Sequence, residues 1–147
     1  MCFMLHVGTD EPLPLKEWNK KAPDIFVRPL LGEESLSKIH FSMRTVQYVG
    51  ATSGYGCDFP HRLVHNGKLP ELLEEEYPGE EAKYRYNREA LIRMLQNHGE
   101  STAEIYGFWA GNGGTPPIHI EEISLDQIMD SKFGFGEQVF YRVRIFS

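Results

Sequence analysis

Cys57, His61 and His65 stand in the order C-x3-H-x3-H, with Asp58 directly after the cysteine. Thiolate and imidazole are the donors a zinc-like ion prefers, and on a regular helix this spacing would line all three side chains along one face. Gly54, Gly56, Phe59 and Pro60 argue against a regular helix at this point. The chain offers no second pair of the C-x2-C kind, so a metal held by Cys57, His61 and His65 would need a fourth ligand from elsewhere or from water. The same residues could act without a metal. A glycine loop gives a thiol access, and a nearby histidine lowers its pKa and serves as base, so Cys57 with His61 is a candidate nucleophile and base. Against both readings stands the ordinary role of a free cysteine as a small hydrophobe, with histidines on the surface around it.

Cys2 carries a different possibility. Loss of Met1, expected before a small residue, would leave Cys2 with a thiol and its own amine as base, the logic of N-terminal nucleophile hydrolases. MCFMLHV looks like the first strand of such an enzyme, although Phe3 stands where the glutamine-dependent amidotransferases have glycine. Cys2 and Cys57 could also form a disulfide, which in a reducing compartment would act as a redox switch. The glycine-rich stretches VGATSGYG and GNGGTPP raise the question of an anion cradle. Neither contains GxxxxGK[ST], neither leads into a helix of the required kind, and Ser53 lacks the G-x-S-x-G setting. Turn geometry explains them. His6 in an apolar strand reads as a hydrogen-bonded core histidine, and His119 between two isoleucines as the polar side of a strand.

These residues must be positioned by one domain, residues 1–147, which is long enough for a single core. An apolar fraction of 41% and a charged fraction of 24% exclude the disordered and membrane-spanning classes. The charge of −6 comes from residues 71–81, which hold six Glu and no Lys or Arg; the remaining 15 acids balance 15 bases. There is no basic stripe for nucleic acid. The acidic run is a solvated helix face or a docking surface for a basic partner. Two cysteines and no signal-like start point to the cytoplasm, with no membrane anchor.

Periodicity supplies the elements. Residues 2–9 are apolar on both alternating faces and read as a central strand. A proline-rich connection, which Trp18 would pin to the core, leads to a second short strand in IFVRPL and a helical turn at 33–38. TVQYVGA is a third strand. Residues 52–68 have no sustained period and form the longest irregular segment, the first place to look for a site. A short helix from Pro70 and a longer one over 84–98 follow, the latter with an apolar stripe of Tyr86, Ala90, Leu91, Met94, Leu95 and His98 and with Arg88 outside. TAEIYGFWA and IHIEEI are strands; Ser124 and Gln127 form a capping box for SLDQIM; EQVFYRVRIF is a half-exposed last strand. The expected class is α+β, a mixed or largely antiparallel sheet of five to six strands with helices mainly on one face. Tyr48, Tyr55, Phe59, Tyr106, Phe108 and Trp109 could line a pocket beside the loop, with Tyr55, Phe59 and Trp109 as the leading binding candidates.

Met-Cys before an apolar strand, GTDEPLPLKEW and YVGATSGYGCDF together resemble a group of bacterial proteins of similar length, which share the proline-leucine-proline and tryptophan segment and a glycine-cysteine loop after Tyr-Val-Gly. The group has no assigned activity. Its loop carries a second cysteine before the aromatic residue; this chain has Cys57 alone. The resemblance implies a bacterial cytoplasmic protein and no particular reaction. The two functions to separate are a small domain that binds a protein or a small molecule, and a thiol- or metal-dependent enzyme using Cys57 or Cys2 with His61 or His65.

Overall fold

All seven residues of Phe3–Thr9 (β1) are buried, so this strand needs neighbours on both edges and a cover on both faces. The computed structural model, which describes residues 2–62 and 81–146, supplies both. The elements after β1 are β2 (Phe26–Pro29), a 3-10 segment (Gly32–His40), β3 (Thr45–Gly50), β4 (His61–Arg62), α1 (Glu81–His98), β5 (Thr102–Trp109), β6 (His119–Ser124), α2 (Leu125–Met129), β7 (Phe135–Gly136) and β8 (Val139–Arg144). Six strands form one sheet in the order β2-β3-β1-β5-β8-β6. All its pairings are antiparallel except β6 with β8, so the fold is α+β with a mostly antiparallel mixed sheet.

The two faces are covered by different means. Phe3, Leu5 and Val7 point to the side where Leu91 and Leu95 of α1 and Leu125 and Ile128 of α2 close an apolar core. Met4 and its neighbours Tyr48, Tyr106, Phe108 and Phe140 point to the other side, over which the 3-10 segment runs. That segment buries only Ser37, and its Leu36 and Ile39 are 59% and 81% exposed. Polar contacts hold it instead. Arg28 on β2 donates twice to Glu34 at 2.7 and 2.9 Å. His6 Nδ1 lies 2.6 Å from Ser37 Oγ, and His40 Nε2 donates to the Gly113 carbonyl at 3.0 Å. Just beyond, the buried Glu104 carboxylate accepts the Ser42 and Met43 backbone N–H groups and the Ser42 hydroxyl.

Four expectations need correction. The buried face of α1 is Tyr84, Asn87, Arg88, Leu91, Ile92 and Leu95 with Ala90, while Tyr86 is exposed. The face is turned because Asn87 secures the loop after β3: its Oδ1 accepts the Thr52 N–H at 3.0 Å and its Nδ2 donates to Thr52 Oγ1 at 3.1 Å. Trp18 does not enter the core; its indole N–H donates to the Thr52 carbonyl at the surface. The segment expected to be irregular contains β4, which pairs in parallel with β7 through Phe135 N–H to the Pro60 carbonyl and Glu137 N–H to the Arg62 carbonyl. The Ser124 cap makes only half of its box, Gln127 accepting the Ser124 N–H while the serine oxygen makes no capping bond. The short helix expected from Pro70 lies outside the described residues.

Gly56 is where the loop after β3 meets β1: a Cβ there would stand 2.3 Å from the Phe3 carbonyl oxygen, and backbone cannot yield. Gly56→Ala is expected to destabilise by about 2 kcal/mol or more. At Gly114 a Cβ would meet only the exposed Leu36 side chain, at 3.3 Å, so Gly114→Ala should stay within about 0.5 kcal/mol of wild type. Equal urea midpoints for the two variants would contradict this.

Candidate functional site

A segment that contributes so little apolar volume leaves space beneath it. Between the 3-10 segment and the second face of the sheet lies a cavity of about 520 Å³. Alternation along the strands decides its floor: β3 contributes Tyr48, β5 contributes Phe108, and β2 contributes Phe26 and Arg28. Three connections complete the wall, with Trp18 from one, Tyr55 from the loop after β3, and Gly111 and Gly113 from the loop after β5. Gly54 has φ of 90°, and a Cβ on it would lie 3.4 Å from the Trp18 indole; glycine lets the loop fold over the tryptophan.

The charges are ordered. The Arg28 guanidinium sits 4.0 Å above the Tyr48 ring while gripping both Glu34 oxygens, so its plane is fixed by a stacked and a bidentate contact. The hydrogen bonds from Arg28 hold the Glu34 carboxyl below the usual range, and burial pushes the Tyr48 phenol up to about 12. Glu34 is therefore ionised and Tyr48 neutral at physiological pH. Beside the cavity, between β1 and the covering segment, His6 is wholly buried, edge-on to Phe108 at 4.7 Å and to Tyr48 at 6.0 Å. Burial lowers its pKa to about 4, with Glu34 opposing and Arg28 assisting. Its Nε2 has no hydrogen-bond partner.

Of the residues singled out by sequence, Cys2, Tyr48, Tyr55 and Phe108 line this cavity, and Tyr106 packs on the same face of the sheet. Cys57, Phe59, His61 and Trp109 gather on the helix-covered side. Cys57 Sγ accepts the Phe3 N–H at 3.3 Å and packs against the apolar core. His61, on β4, stacks on the Phe3 ring at 4.7 Å with Trp109 edge-on at 6.2 Å. Its Nδ1 donates to the Phe59 carbonyl at 2.8 Å, which leaves Nε2 as the acceptor, and burial lowers its pKa. Phe59 is wholly buried and belongs to the core, and Trp109 is half-buried against it. Cys57 and His61 thus both touch Phe3, without a hydrogen bond between them among the described residues. His65 lies outside those residues. Among the described residues no group of three His, Cys, Asp or Glu could hold a metal ion, and Cys2 and Cys57 are free thiols.

Sequence reading missed Arg28, Glu34 and Trp18. The signal available was slight: one arginine inside an apolar strand, and an acid six residues later. No protein family, curated protein or solved structure matches this chain.

His6 makes the floor sensitive to acid. Its folded pKa lies below the unfolded value, so the stability it contributes is complete above pH 6.5 and is lost as the pH falls toward 4. Between about pH 7.5 and 5, wild type should lose roughly 2 kcal/mol more than the His6→Phe variant. Parallel stability curves, or a His6 imidazole that titrates near 6.5 by NMR, would refute it.

Proposed function

We propose that this protein is a binding domain for a small ligand, and that the cavity under the 3-10 segment is its site. One observation carries this reading: a space of about 520 Å³ has aromatic walls and a polar pair, Arg28–Glu34, already fixed in place by its own contacts. Concave, largely apolar sites with a few convergent polar groups are where small molecules bind. The core does not need Trp18 and Tyr55, which are 39% and 55% exposed; they supply ring faces to whatever enters. The likeness to the Met-Cys group of bacterial proteins and the free state of both cysteines favour a bacterial cytoplasm as its setting. No helix among the described residues is long and apolar enough to cross a membrane.

A second reading, a thiol enzyme, is favoured by the Cys2 thiol in the cavity wall. No histidine among the described residues lines the cavity, so the base in this reading is the amine that Cys2 gains when Met1 is removed. Hydrolysis of p-nitrophenyl acetate that is lost in Cys2→Ala and kept in Cys57→Ala would favour that enzyme; equal rates in the two variants would remove it.

Binding is tested by NMR with a chemically diverse set of fragments. Hits should shift the Trp18 indole N–H and the Gly111 and Gly113 amides, and Leu36→Trp, which turns a large ring toward the same space, should weaken them. A cleft of about 570 Å³ between α1 and residues 14–16 serves as the internal control. Hits that collect there, or scatter over the surface, would overturn the assignment.

A further inference from the structure

We infer that the ligand is an organic cation, an ammonium group carried on a small apolar body. This rests on the small-ligand reading above and adds the chemical class. Two carboxylates, Glu33 and Glu34, and one guanidinium, Arg28, line the cavity, which leaves one negative charge in excess. Arg28 and Glu34 neutralise each other through two hydrogen bonds. Glu33 has no ion pair or hydrogen bond among the described residues, so the uncompensated charge is placed at the rim and is negative.

The aromatic rings point the same way. A ring face attracts a cation through its quadrupole, and tryptophan does so best. The site already shows this preference internally, because the one cation of its lining sits over the Tyr48 face at 4.0 Å. Trp18 and Tyr55 remain exposed at the rim, with no cation stacked on either face among the described residues, and both line the space that Glu33 borders. The Trp18 indole is held by its bond to the Thr52 carbonyl at 3.1 Å and by the close approach of Gly54, so its face is presented without ordering cost on binding. An anion would meet Glu33 and Glu34, and at Arg28 it would compete with a carboxylate already held by two hydrogen bonds.

The test uses three probes of one shape on the full chain, followed through the Trp18 indole N–H and the Gly111 and Gly113 amides. Benzyltrimethylammonium should bind about tenfold tighter than benzyl alcohol, with phenylacetate weakest. Glu33→Gln should weaken benzyltrimethylammonium about threefold and leave benzyl alcohol unchanged. If benzyl alcohol or phenylacetate binds in the cavity as tightly as the ammonium, or if Glu33→Gln changes nothing, the cation assignment fails while the small-ligand reading survives. If none of the three moves any cavity resonance, both fail.

Discussion

The second face of the sheet has to be covered, and the segment that covers it brings almost no apolar surface. GEESLSKIH buries one serine, so hydrophobic burial, the usual reason one layer adheres to another, is nearly absent here. Three polar contacts take its place: Arg28 with Glu34, His6 with Ser37, and His40 with the Gly113 carbonyl. Polar contacts of this kind contribute roughly 1 kcal/mol each. They fix direction and spacing better than they fill volume. A cover that touches the sheet at three points leaves space between them, and that space is the cavity. The same economy makes the segment the least firmly held layer of the fold, the part from which moving elements are drawn.

β1 separates two chemistries. Successive side chains on a strand alternate between faces, so Met4 and His6 look toward the cavity while Phe3 and Leu5 look toward α1. Cys57 and His61 gather around Phe3, whereas Cys2, at the end of the strand, reaches the cavity. The two thiols therefore lie on opposite faces of the sheet, and His61 spends its Nδ1 on the Phe59 carbonyl.

Much of the fold was legible because it depends on local pattern. The double-sided apolar run of β1, the alternation in β8 and the glutamine half of the Ser124 cap are properties of contiguous residues, and each is present. The face of α1 was misread because burial of Asn87 and Arg88 follows from long-range demands: Asn87 binds Thr52, and Arg88 approaches the Phe133 carbonyl at 3.5 Å. Trp18 was misplaced for a similar reason, since its partner carbonyl lies 34 residues away. The cavity itself has no sequence signature. Its residues come from four strands, the 3-10 segment and the connections between them, and nothing in Arg28 or Glu34 alone announces that they meet. Tyr55 and Cys2 were found because an aromatic in a glycine loop and a cysteine beside a strand draw attention wherever they occur.

Hydrogen exchange on the Arg28→Gln protein, compared with wild type, tests most directly whether polar contacts alone hold the cover that makes the cavity. The expected result is faster exchange confined to the amides of residues 33–40, with protection in β1 and β5 unchanged. Unchanged protection over 33–40 would show that the segment is held by something other than these contacts, and a uniform loss across the sheet would show that it is not a separate layer.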